Sequence, residues 1–224
     1  MSAKIRELVD KVDNVELLRD EVAAILAVES ESQRALAAAN DGDPEKWRVR
    51  VFTERARPFE FLDAPDGAVT APIVNVAIDN MNYDESGSDV FHRQKTRAVY
   101  HIDCYGNGRS SETPGGHEAA DEIAAKNCQR GVRLVRNFLM AAEWRYLGHR
   151  GLVWQRWIDS VQFFQVPTDQ QMVEAIVAAR IQFAVTFNEF SPQYQPETLE
   201  ILAGQVLRAE TGEVYFNAHF ESSE

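Results

Sequence analysis

Residues 177–188, Val-Ala-Ala-Arg-Ile-Gln-Phe-Ala-Val-Thr-Phe-Asn, constrain this chain more than any other stretch. Val177, Ala179, Ile181, Phe183, Val185 and Phe187 fall on the odd positions, and Ala178, Arg180, Gln182, Ala184, Thr186 and Asn188 on the even ones. Successive side chains of a strand point to opposite faces, so this period of two specifies a strand with one apolar and one mixed face. A slip of one residue would turn the whole apolar set into water, which pins the register of any sheet built on it. The run ends in Glu189-Phe190-Ser191-Pro192 and contains nothing that resembles a catalytic motif. The sheet therefore reads as a frame for assembly.

The apolar face needs a cover, and a long helix from about 116 to 147 is expected to supply it. Ile123, Cys128, Val132, Val135, Leu139, Ala142 and Tyr146 form its stripe, broadened by Leu134 and Phe138. Thr113-Pro114 suits its start, since proline is tolerated in a first helical turn. Glu118, Asp121 and Glu122 near one end and Arg145 near the other match the helix dipole, and Gly148 and Gly151 close it.

Around this unit the chain reads as α+β, a largely antiparallel sheet packed against the long helix, with N-terminal helices. Ile5, Leu8, Val9 and Val12 recur at helical spacing, and Asp13 with Glu16 resembles a capping box that starts a second helix. That helix carries Leu18, Val22, Ile25 and Leu26 and stops at Asn40-Asp41-Gly42. From Trp47 the period changes to two, with Val49 and Val51 on one face. Strands are then expected at Ile73–Asp79 and Thr96–Gly106, with Thr96, Ala98, Tyr100, Ile102 and Cys104 sharing a face, and at Val153–Val166. The tail is either a hairpin around Thr211-Gly212 or a helix over Leu199–Leu207. The expected organisation is a single domain over 1–224: helices in 1–42, sheet and long helix in 47–190, and an extension over 191–224.

With a formal charge of −12, the surface repels phosphate backbones, which disfavours tight DNA binding. Cys104 and Cys128 have no metal-type spacing and read as buried free thiols of a reducing cytoplasm. No signal-like N-terminus and no membrane-length apolar run is present, so a soluble, intracellular product without a membrane partner is expected.

The chain has no phosphate-binding glycine signature; the glycine pair of Tyr105-Gly106-Asn107-Gly108-Arg109-Ser110 reads as a hairpin turn. His117-Glu118 lacks a second histidine one turn on, and His92, His101, His117, His149 and His219 are scattered. Asp79 and Asp103 could open a nuclease motif, but no E-x-K follows. No nucleophile elbow occurs, and Asp84, Glu85 and Asp89 form only part of a calcium loop. Neither cofactor nor metal is expected. Two groups suit interaction instead. Arg130, Arg133 and Arg136 recur every three residues, as a solvated stripe or as a strip that docks an acidic surface such as a neighbouring copy. Trp144, Trp154 and Trp157, with Phe163 and Phe164, form an aromatic group larger than one strand pair requires.

The long helix Gly-Val-Arg-Leu-Val-Arg-Asn-Phe-Leu-Met-Ala-Ala-Glu-Trp-Arg-Tyr-Leu-Gly, the strand Leu-Val-Trp-Gln-Arg-Trp-Ile-Asp-Ser-Val-Gln-Phe-Phe-Gln, the alternating strand at 177–192 and the upstream Tyr-His-Ile-Asp-Cys-Tyr-Gly together resemble tail terminator (tail completion) proteins of long-tailed bacteriophages. The resemblance covers about residues 15–190. It implies a virion protein at the tail–neck junction, assembled in the host cytoplasm as a homo-hexameric ring. Such a ring caps the tail tube, stops its growth and joins it to neck connector proteins, with the tail tube protein and a sheath protein as neighbours. DNA would slide through the ring without specific binding. Six copies would carry a charge on the order of −70, repelling the passing phosphates. The loop bearing Asp84, Glu85 and Asp89 is expected to face the tube or channel, and Arg130, Arg133, Arg136, Trp154 and Trp157 are the expected interaction residues. A different neck component, or a small nucleic-acid enzyme whose site converges from distant segments, are the competing readings.

Overall fold

The computed structural model of the chain describes residues 4–5, 8–58, 71–84, 93–113, 116–166, 174–190, 201–207 and 214–221. The chain divides into two compact units, Asp10–Ser191, and a smaller one of Met1–Val9 with Pro192–Glu224. In the smaller unit, strands Ile201–Leu207 and Val214–Glu221 pair antiparallel, which decides the tail in favour of the hairpin.

The larger unit begins with helix α1, Asn14–Ala39. The expected capping box is present, with Asp13 and Glu16 satisfying each other's backbone N–H groups. The expected stop holds too: the Gly42 N–H reaches the Ala37 carbonyl at 2.8 Å, and Asp41 takes the left-handed conformation at φ 55°. The helix expected before it is absent among the described residues. Residues 4–5 and 8–13 have no helical geometry, Val12 at the start of the larger unit is exposed, and a short helix that buries no stripe does not hold.

Strand β1, Arg50–Thr53, follows a 3-10 turn, Pro44–Trp47, so Trp47 belongs to the turn and not to the strand. Strands β2, Ile73–Asp84, and β3, Arg93–Arg109, lead to a small hairpin of β4, Ser111–Thr113, and β5, Gly116–Glu118. Helix α2, Ala120–Leu139, comes next, then β6, Val153–Gln165, and β7, Glu174–Phe190. The main sheet has the order β1-β2-β3-β7-β6, with β1 parallel to β2 and every other neighbour antiparallel. The α+β architecture and the largely antiparallel sheet agree with the sequence.

The long helix does not. Its expected first turns are the β4–β5 hairpin, and it ends at Leu139, before a separate 3-10 turn at Ala142–Trp144. Met140 and Ala141 leave helical geometry there, and Arg156 donates to the Ala141 and Trp144 carbonyls at 2.7 Å each. A cross-strand arginine thus takes over carbonyls that a continuing helix would have used.

Both helices lie on one sheet face. Leu18, Val22 and Leu26 of α1 and Val135 and Leu139 of α2 share one core with Ile181, Phe183, Val185 and Phe187 of β7. The alternation that opened the sequence analysis is therefore the core pattern, and each phenylalanine buried there contributes about 2–3 kcal/mol. The helix–sheet contact is closest at Gly106 and Gly108. These lie inside β3 and not in a turn, contrary to expectation. A Cβ on Gly106 would stand 2.3 Å from the Cys128 nitrogen, and one on Gly108 would stand 2.1 Å from the Ala120 carbonyl oxygen. The two glycines let the α2 backbone rest directly on the strand.

Candidate functional site

Two surfaces of the larger unit gather the residues singled out by the sequence. The first is β6. It is an edge strand, as is β1, and among the described residues only an isolated bridge from Arg150 to Val153 meets its outer side. Its pairing with β7 skips at Trp154 and again at Asp159, two bulges that project side chains and interrupt the edge. Trp154 is 54% exposed, Phe163 54%, Phe164 40% and Val161 37%. Large apolar side chains rarely stand in water along one strand unless something covers them in use.

Cations from β3 back this row. The Lys95 ammonium lies 5.7 Å from the Trp154 ring centre and the Arg97 guanidinium 5.1 Å from that of Trp157. Arg97 also pairs with Asp159, which accepts a hydrogen bond from the Trp157 indole N–H. Trp157 is thereby held in place, whereas Trp154 stands free of hydrogen bonds to the described residues. Trp144 does not join them: it sits in the 3-10 turn after α2, donates its indole N–H to Glu29 at 2.8 Å, and packs on the main core.

The second surface is a groove of about 670 Å³ between α2 and the Pro44–Trp47 turn. Lys46, Lys126, Arg130 and Arg133 line it around a floor that includes Trp47 and Leu134, and no carboxylate does. Arg130 is half-buried; burial, the largest influence, lowers its pKa, Asp43 opposes this, and the neighbouring Arg133 adds to it. Its guanidinium stays charged throughout the physiological range. Arg133 and Arg136 are exposed, and neither makes an ion pair among the described residues. Arg136 is not among the residues that line the groove. A second hollow of about 470 Å³ adjoins, sharing Trp47, Leu134 and Asn137 but bounded by Glu29 and Glu143.

Of the expected loop, Asp84 ends β2 and lies 3.9 Å from Lys95, while Glu85 and Asp89 fall outside the described residues. Asp103, weighed above as a nuclease acid, receives two hydrogen bonds from Arg180 directly across the strand pair, at 2.7 and 2.8 Å. Asp79 faces His101 at 3.2 Å. Both carboxylates serve as cross-strand partners on the sheet face opposite the helices.

Sequence reasoning missed Lys46 and Lys126. Lys126 sits one turn before Arg130 and was legible as part of the same strip, but Lys46 arrives through the 3-10 turn and leaves no local signal. No protein-family model matches the chain, and no curated protein matches it.

Proposed function

We propose that this chain is a virion assembly protein, a tail terminator whose copies form a ring that caps the tail tube, ends its polymerisation and joins it to the neck. The observation that carries this reading is β6: a thirteen-residue edge strand whose exposed side chains include Trp154, Phe163 and Phe164. Such an edge invites a partner strand or surface, and its bulges favour one shaped partner over indiscriminate pairing. The resemblance to tail terminators over residues 15–190 supports the same role.

The frame suits it. β3 and β7 are each seventeen residues long and pair over their full length, so the edge is mounted on a rigid support. The net charge of −12 fits a ring through which DNA passes without adhering.

The test is polymerisation of purified tail tube protein with and without this chain. Tubes capped at one end and shortened as the chain is added are the expected result. Tubes that grow to the same length at every ratio, with no chain bound at their ends, would reject the role.

A further inference from the structure

We propose that the basic groove of α2 receives the acidic corner of a second copy of this chain, so that copies join head to tail. The inference rests on the self-assembling reading above and names the contact that would build the ring.

The cations come first. In a chain of net charge −12, Lys46, Lys126, Arg130 and Arg133 line one groove that contains no carboxylate. Arg19, Arg34, Arg48, Arg97 and Arg180, elsewhere in the larger unit, have carboxylate partners. Arg133 and its neighbour Arg136 do not, among the described residues, and both face solvent. Like charges crowded together repel one another: Arg133 disfavours the charged form of Arg130, against the favourable Asp43 and Glu45. An anionic partner relieves that repulsion.

The complement stands on the same molecule. The β4–β5 hairpin and the first turn of α2 carry Glu112, Glu118, Asp121 and Glu122. Lys126 engages Glu118 and Glu122, and His117 stands 3.0 Å from Glu112. The Glu112 side chain is 82% exposed, and Asp121 is exposed and has no cationic partner among the described residues.

Geometry separates the two patches. Glu122 and Arg133 are eleven residues apart on α2. At ~1.5 Å and ~100° per residue they are about 16 Å apart along the axis yet within about 20° around it. Glu122 and Arg133 therefore share one exposed face at different heights; within one chain only Lys126, at the near end of the groove, reaches the acidic corner, and Arg133 does not. A neighbour displaced along that face brings them together. Each copy then offers its groove to one neighbour and its corner to the other, a heterologous contact of the kind that closes into a ring. A nucleic acid is the poorer occupant, because the rest of the surface repels it.

The test uses two charge-reversed full-length chains, K46E/R133E and E112K/D121K, in sedimentation velocity at low salt. Glu118 and Glu122 are left in place because they hold Lys126. All four changes are on exposed side chains, and unchanged thermal unfolding verifies the fold. Wild type is expected to form closed oligomers larger than a dimer that dissociate as salt rises. Each variant alone is expected to need at least about tenfold higher concentration to associate. Their equimolar mixture regains assembly, because the acidic groove of one chain meets the basic corner of the other, and the reverse. A wild type that stays monomeric at high concentration, a strict dimer, variants that assemble like wild type, or a mixture that fails to recover would each overturn the inference. Failure here while the chain still caps tubes would leave the terminator role standing with a different ring contact.

Discussion

Glu189 shows how one side chain joins distant parts of the sequence. It follows the alternating strand, and its carboxylate accepts the Asn14 N–H at 3.3 Å and its neighbour Phe190 N–H at 3.2 Å. Asn14 returns its side-chain amide to the Asn188 carbonyl at 2.9 Å, so the end of β7 holds the start of α1. The other carboxylate oxygen is buried without a hydrogen bond, and burial raises the Glu189 pKa above its ordinary value of 4.5 despite the backbone donors. An acid whose pKa rises on folding stabilises the fold fully below its unfolded value, and that contribution is lost as pH rises through the folded value. Glu189→Gln keeps the acceptor and removes the charge. It is expected to match or exceed wild-type stability at pH 8, with the advantage vanishing below about pH 4.5. Glu189→Ala should cost about 1 kcal/mol, the loss typical of a removed cap. Urea melts of the three proteins across pH check both.

The cysteines make a second case at this scale. Cys104 and Cys128 are fully buried, and the Cys128 thiol lies 3.4 Å from the Cys104 carbonyl. Burial pushes Cys128 up to about 12 and Cys104 well above its ordinary value. Because the thiolate is the reactive form, neither should react with a thiol reagent at pH 8 until the chain unfolds. A labelling phase faster than unfolding would contradict this burial.

Among the elements, α2 on β3 is the junction with the least tolerance. Gly106 and Gly108 face backbone atoms of α2, which cannot rotate aside as a side chain can. Gly108→Ala is expected to destabilise the larger unit by about 3 kcal/mol, at the upper end of the cost of overpacking. Denaturant unfolding measures it, and a cost below about 1 kcal/mol would mean that the helix shifts freely. The same close approach explains why α2 is short. Its backbone meets β3 from the first turn, so the residues before it return as the β4–β5 hairpin and do not extend the helix beyond the sheet. The stripe from Ile123 to Tyr146 was legible as apolar spacing, but spacing alone does not say where a helix stops. Arg156, from β6, sets that point by bonding the carbonyls beyond Leu139.

For the whole molecule, the proposed function gives the two surfaces separable tasks, and variants distinguish them. Replacing Trp154 and Phe163 together by serine removes the two most exposed aromatics of β6 without touching the core. The double variant is expected to unfold at an unchanged midpoint yet lose at least about tenfold in its capacity to shorten tail tubes, as contact aromatics dominate interfaces. Tube-length distributions by negative-stain imaging measure this. An unaltered capacity would move the tube contact away from β6. The charge-reversed variants, in contrast, should impair association between copies first.

What the sequence determined by itself was periodic. The odd face of 177–187, the stripe of α1, its capping box and the change of period near residue 48 are local patterns, and local patterns dictate which residues can be buried together. The N-terminal helix was misread because periodicity states what a segment could bury and not whether it is buried; Val12 is 72% exposed. The glycine pair was misread for a related reason, since glycine permits a turn and an unobstructed backbone contact alike, and only a packed helix selects between them. Tertiary structure alone decided the parallel β1–β2 pair, the placing of β6 at the edge and the arrival of Lys46 beside Arg130 and Arg133. These depend on which distant segments become neighbours, a choice settled by the shape of the shared core and left unrecorded in the spacing of any one segment.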